Sequence, residues 1–158
     1  MRLILALLLL VPLPALAADS HYVNVRYGYA IDVPAGFVGQ GDSDNSDGQV
    51  FKTPTAKLTV YGASVIEPDF ESEVVSRERS AEQDGWAITY NVSTPDKASY
   101  SGKRGARILY ARLIALCGGT QFAAFELEYS RADLTKLDPV VNRLVQSLTA
   151  TDGSAMCN

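Results

Sequence analysis

Apolar and polar residues alternate over several stretches of this chain, and such alternation predicts half-buried β-strands. In the longest stretch, residues 106–116, Ile108 and Tyr110 fall on one face while Leu109 and Leu113 fall on the other. The connections between these stretches are too short for the crossovers that parallel strands require, so an antiparallel sheet is predicted. Residues 22–26 and 29–33 are predicted to form two short strands or one bent strand. Further strands are predicted at residues 50–52, 57–63, 86–92, 98–101, 106–116 and 122–129.

The apolar period lengthens to that of a helix after the fourth predicted strand. A helix is predicted from Glu67-Pro68-Asp69 to about Gln83, because proline fits the first helical position and acidic side chains suit the positive end of the helix dipole. The apolar stripe is thin, so a surface helix is expected. That stripe contains Phe70, Val74 and Ala81, and the residues expected to face water are Glu71, Glu73, Arg77, Glu78, Arg79 and Glu82.

A second helix is predicted near the end of the chain, behind Asp138-Pro139, with Asp138 as its cap and its end near Ser147 to Thr149. The order strands, helix, strands, helix predicts an α+β domain, with about six to seven antiparallel strands and two main helices packed on the sheet. The apolar residues at helical spacing are Val140, Val141, Leu144, Val145 and Leu148.

Several segments between the periodic elements are predicted to be loops or turns. Residues 38–49 are dense in Gly, Asp, Ser and Asn and are expected to form a surface loop. The glycine-containing segments Gly102-Lys103-Arg104-Gly105 and Cys117-Gly118-Gly119-Thr120 lie between strands and not before a helix N-terminus. They are therefore interpreted as hairpin turns and not as phosphate-binding loops.

Residues 1–17 have the three parts of a secretory signal peptide: Arg2, an apolar run from Leu3 to Val11, and the small-x-small site Ala15-Leu16-Ala17. The run is too short to cross a bilayer, which takes about 20 apolar residues. We expect cleavage before Ala18, a single domain over 18–158 with a loose C-terminal tail, and a periplasmic or secreted protein without membrane insertion after cleavage. An uncleaved N-terminal anchor is the alternative.

The composition narrows the range of partners. The chain has 14 Lys and Arg against 18 Asp and Glu, a net charge of −4, and 47% hydrophobic residues. These proportions are typical of a folded globular domain. An acidic chain without a basic run repels phosphate backbones, which argues against nucleic acid and against anionic lipid surfaces. An envelope protein is the expected kind of partner, and the domain itself is expected to be a monomer.

The two cysteines, Cys117 and Cys157, are predicted to form one disulfide. Export takes the chain to an oxidising compartment, where an even cysteine count usually indicates a bridge. The bridge would tie the C-terminal tail back to the turn at Cys117. A reactive thiol at Cys117 is the alternative.

The sequence contains no recognisable catalytic constellation. Its only histidine, His21, lies close to the predicted mature terminus, where chains are usually frayed, so neither a nucleophile triad nor a zinc site is predicted. Glu126 and Glu128 project from one face of a strand and could in principle serve glycosyl transfer, although a solvated strand face is the simpler interpretation.

One loop offers ligands for a hard cation. Asp42, Asp44 and Asp47 lie within six residues before Gly48, and carboxylate oxygens are the ligands that Ca²⁺ prefers. The segment does not match an EF-hand, because Asp47 stands where the glycine is required. Asx-type turns explain the same residues without a metal. We therefore expect no cofactor and keep calcium as an alternative.

Six short motifs are distributed over nearly the whole mature chain: YGYAIDVP at 27–34, DNSDGQVF at 44–51, KLTVYG at 57–62, ITY at 88–90, RILY at 107–110 and VQSL at 145–148. These motifs resemble those of a group of exported proteobacterial proteins to which no activity is assigned. The element order resembles the PsbP-like fold, an antiparallel sheet sandwiched by helices.

The resemblance implies an accessory or binding domain and carries no catalytic residue to transfer. A non-catalytic periplasmic or secreted binding domain is therefore the leading hypothesis, with an envelope hydrolase using carboxylates as the alternative. A binding domain should expose an apolar or aromatic patch, whereas an enzyme should have a concave pocket with perturbed acidic groups. The candidates for a patch are Tyr22, Tyr27, Tyr29 and Phe37, unless they pack under the first helix.

Overall fold

The computed structural model describes residues 18–151 and Cys157, which form strands, two α-helices and two short 3₁₀ turns. The signal-peptide prediction for residues 1–17 lies outside the described residues. The helices are α1 (Phe70–Gln83) and α2 (Leu134–Ser147). The strands are β1 (Ser20–Asn24), β2 (Tyr29–Val33), β3 (Val38–Asp42), β4 (Gly48–Lys52), β5 (Ala56–Ser64), β6 (Ala87–Thr94), β7 (Lys97–Arg104), β8 (Arg107–Leu116), β9 (Gln121–Ser130) and β10 (Thr149–Ala150).

Seven strands form one sheet in the order β3-β4-β5-β9-β8-β7-β6, and every pairing in it is antiparallel. The long strands β8 and β9 lie at its centre and pair in one register from Arg107 opposite Ser130 to Leu116 opposite Gln121. A second sheet, β1-β2-β10, has three strands. The predicted α+β class with an antiparallel sheet and two main helices is therefore confirmed.

Alternating residues of the central strands bury two separate apolar clusters, one on each face of the large sheet. Leu109, Leu113 and Phe122 lie in the cluster under α1, together with Trp86. On the opposite face Phe125 belongs to the cluster under α2 and the small sheet. The strand alternation predicted from the sequence therefore assigns neighbouring residues to opposite layers, as the period of two requires.

Residues 38–42 were expected to lie in a surface loop, and this prediction is wrong. They form the edge strand β3, which pairs with β4 and is exposed along its whole length. An edge strand with water on both faces is held by backbone hydrogen bonds and needs no apolar alternation, so the sequence pattern does not reveal it. Only residues 43–47 form the turn to β4.

The start of the C-terminal tail is ordered, contrary to the expectation of a loose segment. Thr149 and Ala150 pair with Ala30 and Tyr29 of β2, and the N–H of Thr151 donates to the carbonyl of Gly28 at 2.8 Å. The remainder of the predicted tail, apart from Cys157, lies outside the described residues.

The helix starts differ from the predicted ones. Asp69 caps α1, with its carboxylate accepting from the N–H of Ser72 at 2.7 Å, so Pro68 precedes the cap and does not occupy the first helical position. The second helix begins at Leu134, one turn before the predicted start, and contains Pro139. Asp138 is therefore not a cap. The earlier start lets Leu137 join the buried face of the helix.

The predicted turn at Gly102-Lys103-Arg104-Gly105 is displaced. Strand β7 continues through Arg104, and the turn to β8 consists of Gly105 and Ala106. No helix within residues 18–151 is long and apolar enough to cross a membrane.

Candidate functional site

A cleft of about 370 Å³ opens between α1 and the face of the large sheet that this helix covers. It is more polar than the other concave surfaces near the helix, because charged side chains enter it from both layers. We call it the α1 cleft. Its lining residues are Lys57, Arg77, Ser80, Ala81, Asp84, Trp86, Tyr100, Arg104, Leu109, Glu126 and Glu128.

A tyrosine and a carboxyl group meet on the sheet floor of the cleft. Tyr61 on β5 lies opposite Ala124 of β9, so its side chain leans across the pairing toward Glu126, two residues further on. Its hydroxyl donates to Oε1 of Glu126 at 3.0 Å. Residues two apart on a strand share a face, which is why the floor of the cleft carries both Glu126 and Glu128.

Burial changes the protonation chemistry of this floor. Desolvation raises the pKa of Glu126, and the hydrogen bond from Tyr61 opposes this effect by stabilising the carboxylate. Desolvation, followed by repulsion from Glu126, raises the pKa values of both Tyr61 and Tyr100 well above their usual range. The cleft floor is therefore a region of low dielectric in which electrostatic interactions are strong.

A buried carboxylate positions the cation on the helix wall of the cleft. Glu73 is 1% exposed and accepts hydrogen bonds from the N–H groups of Ile66 and Glu67 at 3.0 and 3.3 Å. It also accepts from Nε of Arg77 at 2.8 Å. The guanidinium of Arg77 lies 5.0 Å from the centre of the Phe122 ring. Two contacts, with Glu73 and with the Phe122 ring, therefore fix the direction in which Arg77 enters the cleft.

Glu73 was predicted to face water, and this prediction is wrong. Its position follows from helical spacing, since Glu73 lies three residues after Phe70 and next to Val74, both of which are buried. The N–H groups before the helix and Arg77 donate hydrogen bonds that offset the cost of removing the carboxylate from water.

Three cations surround the second carboxylate. Lys57 Nζ lies 2.6 Å from Glu128, and the guanidinium nitrogens of Arg104 and Arg107 lie 3.9 and 4.0 Å from it. Arg104 also covers the ring of Trp86 at 4.4 Å. The two glutamates thus have different surroundings: Glu126 is half-buried beside a tyrosine, and Glu128 is paired with cations. The interpretation of both as a solvated strand face is wrong.

The aspartates of the 42–48 segment do not converge on a common point. Asp47 accepts from Ser43 Oγ at 2.6 Å and from Asn45 Nδ2 at 2.7 Å, whereas Asp42 accepts from Tyr22 at 3.4 Å. Within residues 18–151 and Cys157, no group of three or more His, Cys, Asp or Glu side chains could hold a metal ion. The turn is therefore closed by hydrogen bonds among its own residues. Asp44, the third candidate metal ligand, lies in the same turn.

Gly48, which follows these aspartates, has a packing role. A Cβ atom at this position would overlap the carbonyl oxygen of Val60 on the neighbouring strand. Strands β4 and β5 can therefore pair at the end of the turn only because residue 48 has no side chain.

The only histidine lies far along the chain from the cleft residues and outside the cleft lining. The sequence suggested that His21 lies in a frayed terminus, and this is wrong. His21 belongs to β1 and lies opposite Asp32. Its Nδ1 is 2.7 Å from the Asp32 carboxylate, and its side chain is 62% exposed. This pair ties two strands of the small sheet together at the surface.

The four aromatic residues proposed as an exposed patch belong to the core under α2. Tyr29 is fully buried, and Tyr22, Tyr27 and Phe37 pack partly buried against the same cluster. The patch prediction is therefore wrong, and so is the alternative that they lie under the first helix. Edge contact between the Tyr22 and Phe51 rings, with centroids 5.6 Å apart, joins the small sheet to the large one.

The two cysteines lie at disulfide distance, with Cα atoms 5.2 Å apart. Cys117 begins the 3₁₀ turn between β8 and β9, so residue 157 is brought back to the end of the central hairpin. This pair lies outside the cleft lining.

Comparison with solved structures relates this arrangement of elements to a known fold. No protein-family model and no curated protein matches the sequence. The structure is similar to cyanobacterial PsbP (CyanoP) from Synechocystis sp. PCC 6803, with a TM-score of 0.63 and 14% identity over 87% of this chain and 95% of that one.

Two further solved structures have similar folds. The Ran-binding protein Mog1p of Saccharomyces cerevisiae gives a TM-score of 0.62 and 12% identity, over 87% of this chain and 98% of that one. LpqN, involved in cell envelope biogenesis of Mycobacterium tuberculosis, gives 0.56 and 11%, over 84% and 90%. At such low identities the likeness concerns the fold alone. The chain therefore has the PsbP-like fold, as the element order suggested.

Proposed function

We propose that this protein is a non-catalytic binding or accessory domain of the cell envelope, and that it receives a polar group of a protein partner in the α1 cleft. The observation that carries the proposal is the arrangement of Arg77 on the helix wall of the cleft and Glu126 on its sheet floor. Arg77 is held in place by the hydrogen bond that it donates to Glu73 on the same helix. Glu126 is held by the hydrogen bond that it accepts from Tyr61 on the neighbouring strand. Such preorganised polar groups in a concave site are typical of recognition sites.

The cleft favours a group that both donates and accepts hydrogen bonds. Arg77 bonds Glu73 through Nε, and a guanidinium has five N–H donors, so it keeps donors for a ligand. Glu126 uses Oε1 for Tyr61, and a carboxyl group has further lone pairs. A primary or secondary amide has the matching pair of groups, because its oxygen accepts and its N–H donates. An amide of a partner protein is therefore the proposed occupant.

The fold neighbours support an accessory role. Mog1p is described as Ran-binding and LpqN as involved in cell envelope biogenesis, and both have folds similar to that of this chain. Fold alone does not transfer function, and the proposal therefore rests on the cleft, with the neighbours as background.

Location outside the cytoplasm is part of the proposal. It is supported by the signal-peptide pattern of residues 1–17 and by the cysteine pair at disulfide distance, since disulfides persist mainly in oxidising compartments. Intact-mass measurement of the protein from an envelope or culture fraction should find a chain beginning at or near Ala18. A folded protein that retains Met1 would contradict this location.

A cross-linking experiment tests the role of the cleft. A photo-reactive benzoylphenylalanine replaces Ser80, which lines the cleft, or Glu82, which is exposed on the same helix and outside the lining. We expect a protein adduct in intact cells from position 80 alone, and its loss when Arg77→Gln is added. Equal adducts from both positions, or no adduct from position 80, would overturn the proposal.

A hydrolase using carboxylates is the second candidate, and one observation favours it. Glu126 has a raised pKa and Glu128 is paired with cations, and two carboxyl groups in contrasting environments are the usual pair of acid and base in glycosidases. The ion pair between Lys57 Nζ and Glu128 Oε1, 2.6 Å apart, argues against a hydrolase, because it engages the second carboxylate. Release of nitrophenol from a panel of nitrophenyl glycosides and esters, abolished by Glu126→Gln, would establish the hydrolase in place of the binding domain.

A further inference from the structure

The strands β6 to β8 form a basic region in an acidic protein. Residues 87–116 contain five of the 14 Lys and Arg residues and one of the 18 Asp and Glu residues, which leaves nine basic and 17 acidic residues in the rest of the chain. The single acidic residue, Asp96, lies in the turn between β6 and β7 and bonds Thr94 at 2.7 Å. This concentration of positive charge favours an acidic partner.

The cations of these strands divide between the two faces of the sheet. Arg104 and Arg107 lie on the face under α1, where they approach Glu128. Lys97, Lys103 and Arg112 alternate with the residues under α1 and therefore belong to the opposite face. On that face, the ion pairs assigned to residues 18–151 include none with these three cations.

This second face, which we call the outer face, also exposes apolar side chains. Across β6, β7 and β8, Tyr90, Ser101 and Tyr110 lie side by side in one row. Val92, Ser99 and Arg112 form the next row. These two rows cross the face from its edge toward α2. Tyr90 is 50% exposed and Val92 is 48% exposed, because α2 and the small sheet cover β9, β5 and β4 and do not reach the edge strand β6.

Arg112 stands in the middle of the outer face with incomplete hydrogen bonding. One terminal nitrogen donates to Ser99 Oγ at 3.2 Å, while Nε has neither a partner nor access to solvent within the described residues. A buried donor without a partner destabilises a protein. A guanidinium has five N–H donors, so a carboxylate brought by another molecule can pair with Arg112 through a terminal nitrogen, whereas the buried Nε stays out of its reach.

We propose that the outer face is a docking surface for an acidic segment of a partner protein. Carboxylates of that segment pair with Arg112, Lys97 and Lys103, and apolar side chains beside them cover Tyr90 and Val92. The surface is distinct from the α1 cleft, because it lies on the opposite side of the same strands. It therefore goes beyond the function proposed above and can fail or succeed independently.

An anionic membrane is the less suitable occupant. Segments that bind such membranes by charge carry about four to eight clustered basic residues, and the outer face has three. The protein as a whole carries a net charge of −4, which opposes approach to an extended anionic surface, whereas a local acidic segment meets only the basic region.

A photo-cross-linking experiment tests the docking surface. Benzoylphenylalanine replaces Tyr90, an aromatic residue of the outer face, or Val38, which is 64% exposed on the other edge of the sheet. The full chain is expressed in its source cells and irradiated. We expect a protein adduct from position 90 alone, with the cross-linked peptide containing Asp or Glu. Adducts from both positions, an adduct without acidic residues, or no adduct would overturn the proposal.

Charge reversal provides the second arm. Lys97 and Lys103 are exposed, so Lys97→Glu with Lys103→Glu should fold and should lower the adduct yield about tenfold through like-charge repulsion. Lys136→Glu, an exposed lysine on α2, is the matched control and should leave the yield unchanged. Equal loss in both variants would contradict the proposal. Co-sedimentation of wild type, but not the double variant, with phosphatidylglycerol vesicles would replace the protein partner by a membrane.

Discussion

The Glu73 carboxylate and the Arg77 guanidinium, one helical turn apart on α1, are joined by a hydrogen bond of 2.8 Å. The two side chains have unequal exposure, 1% for Glu73 and 32% for Arg77. The carboxylate therefore acts from inside the protein on a cation that reaches the cleft. This relationship links the stability of the helix start to the geometry of the candidate site.

Replacement of Glu73 should destabilise the protein and loosen Arg77 together. Glu73→Ala removes the acceptor for two backbone N–H groups and one charged donor, so the free energy of unfolding should fall by about 2 to 3 kcal/mol. Urea denaturation measures this change. Glu71→Ala, an exposed acidic residue of the same turn, is the control and should change stability by less than about 0.5 kcal/mol. Equal effects would mean that the Glu73 contacts contribute little.

Glu126 should make stability depend on pH in a defined direction. Because burial raises its pKa in the folded protein, the folded state binds this proton more tightly than the unfolded chain. Its contribution therefore declines as pH rises from the ordinary glutamate value, near 4.5, through the raised folded value, and the loss persists at higher pH. Glu126→Gln should accordingly be more stabilising, relative to wild type, at pH 8 than at pH 4.

Denaturant unfolding at the two pH values measures this difference, and one pKa unit corresponds to about 1.4 kcal/mol. Glu82→Gln on the exposed side of α1 serves as control, with the same stability change at both pH values. A Glu126→Gln effect that does not vary with pH would mean that the carboxyl group titrates as in the unfolded chain.

The sequence predicted the sheet well because burial on two faces leaves a regular trace. In β8, Leu109 and Leu113 face one cluster and Ile108 and Tyr110 pack against the other, so alternation, strand length and face assignment all follow from the residues. Strand β3 has no such alternation of apolar and polar residues. All five of its residues are exposed, and its backbone pairing with β4 is invisible in side-chain pattern.

The candidate site could be predicted only in part. The period of a strand placed Glu126 and Glu128 on one face, but their burial depends on α1 lying across that face. The acceptor role of Glu73 depends on the path of residues 66 and 67 before the helix. A glutamate three residues after a buried phenylalanine was the available signal, and its meaning required knowledge of these tertiary contacts.

Calcium should have little effect on stability. Asp47 is engaged by Ser43 and Asn45 and Asp42 by Tyr22, so ligation would require breaking the hydrogen bonds that close the turn. We expect the melting temperature to change by less than about 1 °C in millimolar Ca²⁺, since a ligand stabilises a protein appreciably only where its concentration exceeds its dissociation constant. A rise of several degrees that Asp44→Ala abolishes would establish a calcium site in this turn.

The disulfide between Cys117 and Cys157 should stabilise the fold through the unfolded chain. The two residues are separated by 40 positions, and closing a loop of this length contributes roughly 4 kcal/mol in the chain-entropy model. The loop contains β9, α2 and β10, so the bond restricts the final third of the domain in the unfolded state. Its loss should leave the sheet intact, because the cysteines lie outside both apolar clusters.

Thiol titration of the unfolded, unreduced protein should find no free thiol, and the double variant Cys117→Ser with Cys157→Ser should melt at a lower temperature. The expected loss is about 2 to 5 kcal/mol of unfolding free energy. Reduced wild type is the matched control, because it lacks the bond but keeps both side chains, and it should melt with the double variant. Two free thiols in the unreduced protein would refute the bond and restore Cys117 as a candidate reactive thiol. A reduced protein as stable as the oxidised one would mean that contacts of the folded tail, and not the covalent link, hold residue 157 beside the β8–β9 turn.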